Sequence, residues 1–151
     1  MHKDFEDFLK LLNYHKIKYL IIGGYAVNNY VTARSTKDLD ILIEPSIDNG
    51  IKILCSLNDF GFVSKLTPKD FVSDKFMIQL VREPIRIDIL NYIKGVSLDE
   101  VWMNKQKGFF GINKIPVFYI GIKQLIKNKL KVKRKQDLLD VEKLKKIMYG
   151  Y

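Results

Sequence analysis

Three aspartates lie in two segments of this chain that otherwise look like buried β-strands, and this feature constrains the fold most. Asp38 and Asp40 open the apolar segment 38–43, and Asp88 lies inside the apolar segment 85–90. Because strand side chains alternate between two faces, Asp38 and Asp40 share one face. An unpaired carboxylate in apolar surroundings is costly, so the fold must supply these groups with water or a cation.

The pattern of the carboxylates leaves two interpretations open. Magnesium prefers oxygen ligands and is commonly held by one or two carboxylates together with substrate phosphates, which suits Asp38 and Asp40. If the strand of Asp88 lies beside theirs, three carboxylates converge, an arrangement that suits two metal ions. The alternatives are a solvated strand end for Asp38 and Asp40, and a plain ion pair between Arg86 and Asp88.

Hydrophobic periodicity predicts alternating helices and strands along the chain. The predicted helices cover 5–14, 25–30, 47–60 with Ser46 as N-cap, a turn at 98–105, 122–131 and 137–148. The predicted strands cover 17–22, 39–43, 76–81 and 85–90, and the stretch 109–120 is predicted to be extended. We therefore expect one domain over 1–151, with an α/β or α+β sheet and helices packed against it.

A pair of glycines, Gly23-Gly24, separates the first predicted strand from the second predicted helix. Glycines allow a tight turn and a close approach of the backbone to a ligand, and a helix N-terminus offers N–H groups to phosphate oxygens. Arg34, shortly before the aspartates, either clamps a phosphate or pairs with a surface acid. The order of these features is more specific than any one of them.

This order resembles the nucleotidyltransferase superfamily of the DNA polymerase β type. Members of that superfamily have an apolar strand, Gly-Gly or Gly-Ser, an Asp-X-Asp strand and a later strand with a third acid. Here thirteen residues separate Gly24 from Asp38-Leu39-Asp40, and Asp88 fits the third position. The segment 34–41 is close to that of small stand-alone members, which include lincosamide-type antibiotic nucleotidyltransferases and abortive-infection toxins of the type IV toxin–antitoxin class.

The resemblance implies a fold and a set of functional residues. The fold is a mixed sheet flanked by helices, with two helices at the C-terminal end. Catalytic and metal-binding roles fall to the three aspartates, and nucleotide contacts fall to Gly23, Gly24, Lys129 and Asp137. Two local alternatives remain open: Lys129 is a solvated lysine, and Asp137 is only a first-turn acid of the last helix.

The implied reaction moves a nucleotide from a nucleoside triphosphate, ATP first, to a hydroxyl acceptor, with two Mg²⁺ ions and release of pyrophosphate. Three classes of acceptor remain open: a small molecule, RNA such as tRNA, and a protein. Narrower alternatives are a toxin acting on tRNA or a partner protein, with a cognate partner protein of its own, and a catalytically silent nucleotide-binding antitoxin.

Charge and composition bear on partners and location. The chain has 26 Lys or Arg against 17 acids, a net charge of +9, and ten of these basic residues lie within 121–149. A positive field attracts triphosphates, nucleic acid or acidic proteins, although a lysine-rich surface can also be merely solubilising. The single cysteine, Cys55, and the absence of a signal peptide or a membrane-spanning apolar run predict a cytoplasmic protein.

Overall fold

The computed structural model describes residues 3–32 and 35–150. Within those ranges the helices are α1 (Lys3–Tyr14), α2 (Gly23–Tyr30), α3 (Ile47–Phe60), α4 (Leu98–Met103), α5 (Ile122–Val132) and α6 (Lys135–Tyr149), and a short 3₁₀ helix covers Pro68–Val72. The strands are β1 (Tyr19–Ile22), β2 (Asp38–Ile43), β3 (Met77–Arg82), β4 (Ile85–Leu90), β5 (Gln106–Phe110) and β6 (Ile115–Tyr119). None of the helices in these ranges is both long and apolar enough to cross a membrane.

The strands form one mixed sheet in the order β3-β4-β2-β1-β6-β5. β2 runs antiparallel to β1 and parallel to β4, and β6 runs parallel to β1. The outer strands β3 and β5 are antiparallel hairpin partners of β4 and β6. The predicted α/β class with a mixed sheet is confirmed, and so is the expectation that the strand of Asp88 lies beside the strand of Asp38 and Asp40.

The crossover from β2 to β4 begins with α3, whose ends match the sequence signals. The Ser46 hydroxyl accepts a hydrogen bond from the backbone N–H of Asn49 at 3.1 Å, and the helix ends at Gly61, which has a φ of +93°. The Asn49 side chain also accepts from the Lys18 N–H and donates to the carbonyls of Lys18 and Glu44. The start of α3 is therefore tied to one end of the β1–β2 pair.

The sheet separates the hydrophobic core from the carboxylates. Leu39 and Ile41 of β2 and Ile87 of β4 have no solvent exposure, whereas Asp38 and Asp40 of β2 are partly exposed. Each fully buried Leu or Ile side chain contributes roughly 1.5–3 kcal/mol to stability. Because the buried side chains alternate with the aspartates along β2, packing of the core fixes the face from which the aspartates project.

The predicted extended stretch over 109–120 is wrong in one respect, because the chain reverses direction inside it. β5 ends at Phe110 and β6 begins at Ile115, so the stretch contains a hairpin turn. Gly111 and Lys114 adopt positive φ values of +77° and +50°. The Glu6 carboxylate accepts from the Asn113 backbone at 3.0 Å and from the Asn113 side chain at 2.7 Å. Gly111 and Asn113 are turn-forming residues that indicate this hairpin, and a contact with α1 supports the turn.

Candidate active site

The register of β2 and β4 brings the three predicted aspartates together. Asp40 is the Cα partner of Asp88, and Asp38 is the partner of Arg86. Partners in register share a face of the sheet, so the three carboxylates and Arg86 project to the same side. Asp88 is the most buried of the aspartates, with a side chain that is 9% exposed. Residues distant in sequence thus form one charged group at the start of β2.

Arg86 lies between two of the carboxylates. Its guanidinium is 2.9 Å from Asp38 Oδ2, 3.0 Å from Asp88 Oδ1 and 3.1 Å from Asp88 Oδ2. The ion pair between Arg86 and Asp88 that the sequence allowed is therefore present. Within residues 3–32 and 35–150, no three His, Cys, Asp or Glu side chains are arranged to hold a metal ion. Metal binding by the three aspartates stays a prediction.

Asp40 differs from its two neighbours because no hydrogen bond or ion pair reaches its carboxylate from the described residues. Burial, together with the negative charges of Asp88 and Asp38, raises the pKa of Asp40 to about 7. The positive charges of Arg86 and Arg134 oppose this rise without cancelling it. The negative charge around Asp40 therefore exceeds the positive charge of the neighbouring side chains. An added cation would stabilise the ionised carboxylate.

Gly23 brings the start of α2 against Asp40. A Cβ atom at Gly23 would collide with Asp40 Oδ2, and the residue has a φ of +70°, so glycine is required for two reasons. The glycine pair, predicted to lie between the strand and the helix, forms the first turn of α2. The N-cap, Ile22, provides no side-chain hydrogen bond to this turn. The backbone N–H groups of Gly23 and Gly24 therefore begin a helix beside a carboxylate.

Gly23→Ala will destabilise the protein by about 2–3 kcal/mol, because the methyl group meets the Asp40 carboxylate and the backbone is left-handed. Gly150→Ala is the matched control: Gly150 has a φ of +75° and no atom within 4 Å of an added Cβ. The control should cost only about 1 kcal/mol. Urea unfolding of both variants measures the difference, and equal losses would show that the approach of Gly23 to Asp40 is not tight.

A second charged cluster joins α5 to α6. The Lys129 ammonium is 3.0 Å from Asp137 and 3.0 Å from Asp140, and all three side chains are at most 4% exposed. The alternative of a solvated Lys129 is thus wrong, and its ammonium faces two carboxylates inside the helix pair. Asp137 also accepts from the Arg134 backbone N–H at 3.2 Å, so it is a first-turn acid of α6, but its contact with Lys129 shows that this is not its only role.

Arg134 links this cluster to the aspartates of the sheet. Its guanidinium binds Asp137 at 2.8 and 3.3 Å, while the side chain is 75% exposed. Burial alone would raise the pKa of Asp137, but hydrogen bonds from Arg134 and Lys129 hold that pKa below its usual value. Attraction to Arg134 also opposes the rise in the pKa of Asp40, so the guanidinium lies within electrostatic range of the carboxylates.

The sequence alone did not place Arg134 or Asp140 in the nucleotide site, and it did not show that Lys129 is buried. The spacing of Asp137 and Asp140, three residues apart and eight or more after Lys129, was a signal for a buried cluster between two helices. Arg34, the remaining predicted nucleotide contact, lies outside the described residues.

Comparison with protein-family profiles finds no match, and no curated protein matches the chain. Solved structures do match. The lincomycin-bound lincosamide antibiotic adenylyltransferase LnuA has a TM-score of 0.64 and 16% identity, over 97% of this chain and 98% of its own. A Thermotoga maritima protein assigned as a nucleotidyltransferase has a TM-score of 0.57 and 14% identity, over 97% of this chain and 91% of its own. The chain therefore has the nucleotidyltransferase fold.

Proposed function

We propose that this chain is a metal-dependent nucleotidyltransferase that moves a nucleotide from a nucleoside triphosphate, ATP first, to a hydroxyl acceptor and releases pyrophosphate. The observation that carries the proposal is the position of Asp40. Asp88 lies beside it in register on β4, and the first turn of α2 touches its carboxylate at Gly23. Carboxylates that can hold a cation therefore lie next to backbone N–H groups that can bind phosphate oxygens.

The chemistry of the residues around Asp40 suits magnesium, although in the described residues Arg86 lies between Asp38 and Asp88 and the three carboxylates are not arranged around an ion. Asp38, Asp40 and Asp88 offer only carboxylate oxygens, which are the ligands that this ion prefers. Their mutual repulsion, which contributes to the raised pKa of Asp40, favours added positive charge. We assign Asp38 and Asp40 to one ion and Asp88 to a second. When bound, magnesium supplies charge neutralisation at the triphosphate and the acceptor oxygen.

Asp88 has two candidate roles, holding a metal ion or accepting the proton of the acceptor hydroxyl. Both of its oxygens accept hydrogen bonds from Arg86, at 3.0 and 3.1 Å. Oxygen lone pairs that already accept hydrogen bonds from an arginine are less available to take the proton of an acceptor hydroxyl. These contacts therefore favour a role for Asp88 in binding a cation, and they argue against Asp88 as the proton acceptor.

Binding of the triphosphate falls to the start of α2 and to Arg134. The N–H groups of Gly23 and Gly24 would contact phosphate oxygens. The Arg134 guanidinium is exposed, close to Asp40 and oriented by Asp137. Lys129, buried between two carboxylates, would act through this network by holding Asp137 in place and would not contact phosphate itself. Arg34 stays a predicted phosphate contact.

A small hydroxyl compound is the first candidate for the acceptor. The matching LnuA structure holds lincomycin, a small molecule, and its chain is covered almost completely by this one. The match therefore extends over almost the whole of a protein whose structure holds a small molecule. The toxin–antitoxin alternatives, with tRNA or a partner protein as acceptor, and the silent antitoxin stay predictions, as does the cytoplasmic location.

Labelled triphosphates test the proposed reaction directly. The protein is incubated with Mg²⁺ and each triphosphate, carrying label at either the α- or the γ-phosphate, and with lincomycin, other small hydroxyl compounds or total RNA. Nucleotidyl transfer places the α-label on the acceptor and the γ-label in pyrophosphate. Transfer of the γ-label to an acceptor would instead show phosphoryl transfer. No transfer from any triphosphate to any of these acceptors would count against the proposal.

Exposed lysines at the junction of α5 and α6 allow a specific test of the RNA alternative. Changing Lys131, Lys133 and Lys135 to glutamine will weaken RNA binding and reduce its salt slope by about 2, since each phosphate contact contributes about 0.7. Lys129 is left unchanged because it is buried. The charge-matched control changes the exposed residues Lys65, Lys69 and Lys75. Equal RNA affinity in both triple variants would show that the lysines at the junction of α5 and α6 do not bind RNA.

A further inference from the structure

A cavity of about 790 Å³ lies away from the aspartates, where β1 begins and β2 ends. Lys18, just before β1, and Glu44, just after β2, line it together with residues of the β5–β6 hairpin and α4. Glu44 follows Asp40 by four residues along an extended strand, a distance of about 13 Å. Leu20 and Leu42, which lie between the two places on β1 and β2, are fully buried. The cavity is therefore separate from the candidate active site.

Aromatic side chains and lysines dominate the wall of this cavity. Trp102, Phe109 and Phe118 supply flat apolar surface, and Phe109 is 64% exposed although it is apolar. The Lys105 ammonium lies 4.9 Å from the centre of the Phe118 ring and 6.0 Å from that of Trp102. The volume is in the range that binds drug-sized molecules. The wall thus combines ring-stacking surface with a cation held above it.

The charges of the cavity are unbalanced. Its wall contains Lys18, Lys105 and Lys107 but a single acid, Glu44. Lys18 is 3.7 Å from Glu44, so this pair is largely neutralised. Neither Lys105 nor Lys107 forms an ion pair with any residue in the described part of the chain. Two lysines beside an aromatic surface therefore remain for a negatively charged ligand.

One hydrogen-bond donor at the same wall also lacks an acceptor. The Trp102 indole Nε1–H is shielded from solvent and has no hydrogen-bond partner among residues 3–32 and 35–150. A buried donor without an acceptor is destabilising. Because this N–H is shielded, the ring faces and the lysines of the wall, and not this donor, determine what the cavity can bind.

From these features we propose that the cavity binds a small aromatic anion, a planar ring that carries a carboxylate, sulfonate or phosphate. The ring packs against Trp102 and Phe118, and the acidic group lies between Lys105 and Lys107. Binding of this ligand is independent of the proposed transfer reaction, because no residue of the wall belongs to the aspartate site. The inference therefore concerns a second ligand site on the opposite end of the sheet.

Fluorescence of Trp102, the single tryptophan of the chain, tests the proposal without an activity assay. Anilinonaphthalene sulfonate serves as the aromatic anion, and phenylnaphthylamine provides the same rings without the charge. Energy transfer from Trp102 reports binding near the cavity. The sulfonate should bind about tenfold more tightly than the uncharged probe, and this preference should persist in Asp40→Asn.

Matched variants assign the preference to the two lysines. The double change Lys105→Gln and Lys107→Gln should abolish the preference for the sulfonate, whereas Lys143→Gln, an exposed lysine of α6, should leave it unchanged. Equal affinities for the two probes, no energy transfer from Trp102, or an unchanged preference in the double variant would each overturn the proposal. These outcomes do not depend on whether nucleotidyl transfer is observed.

Discussion

Asp40→Asn will lower nucleotidyl transfer by about a thousandfold or more, equivalent to ~4 kcal/mol in the activation barrier. Asp40 contacts the first turn of α2 and adjoins Asp88, so its charge is needed where phosphates and metal would meet. Asparagine keeps the shape of the side chain but removes the negative charge that holds a divalent cation. Initial rates of α-label transfer at saturating Mg²⁺ provide the measurement.

Asp48→Asn is the control for this variant. Asp48 lies on α3, is 78% exposed and pairs with Lys52 at 3.0 Å, so its loss should change neither rate nor stability measurably. Activity of Asp40→Asn within tenfold of the unchanged protein would contradict the assignment. A loss of activity that is as large in Asp48→Asn would show that the assay responds to overall charge and not to the site.

The same substitution has an opposite expected effect on stability without metal. The pKa of Asp40 is raised in the folded protein to about 7 from 3.8, so the folded state holds this proton more tightly than the unfolded state. The resulting stabilisation is present below about pH 4 and is lost as pH rises towards 7. Discounted for partial solvent exposure, the loss is on the order of 2 kcal/mol.

Urea unfolding in EDTA between pH 5 and pH 8 measures this linkage. Asp40→Asn should lack the decrease, so its stability relative to the unchanged protein should increase with pH. Mg²⁺ should stabilise the unchanged protein at pH 8 more than the variant, because the variant has lost one carboxylate ligand and only ion binding to the folded state stabilises it. A large loss of stability in Asp40→Asn at pH 8 would show that the aspartate is structural.

Lys129→Met will lower stability by about 3–5 kcal/mol, because it leaves the buried carboxylates of Asp137 and Asp140 without their shared cation. For a chain of this size such a loss lowers Tm by roughly 10 °C. The comparison variant Lys131→Met changes an exposed lysine of the same helix and should stay within about 0.5 kcal/mol. Thermal unfolding followed by circular dichroism provides both values.

A second measurement separates the structural role of Lys129 from a direct role in phosphate binding. At a temperature where Lys129→Met is still folded, binding of the triphosphate should weaken only as far as Arg134 loses its orientation through Asp137. Arg134→Gln, which removes an exposed guanidinium, should weaken triphosphate binding with little loss of stability. If Lys129→Met is as stable as Lys131→Met, the buried network does not hold α5 to α6.

The sequence by itself determined most elements and the three aspartates. Alternation along 38–43 and 85–90 sets which side chains share a face, because the period of a strand is two and independent of its neighbours. Ser46 and Gly61 mark the ends of α3 because capping depends on groups within a few residues. The order of Gly-Gly and Asp-X-Asp then indicated the nucleotidyltransferase fold. The structural similarity to LnuA confirms this fold.

Only the tertiary structure decided how the charged groups are paired. The parallel alignment of β2 with β4 places Arg86 between Asp38 and Asp88 and leaves Asp40 beside Gly23. Packing of α5 on α6 buries Lys129, which the local sequence presents as one lysine among many. The energy of a charge depends on its burial and on partners distant in the chain, so neither periodicity nor local spacing could settle these pairings.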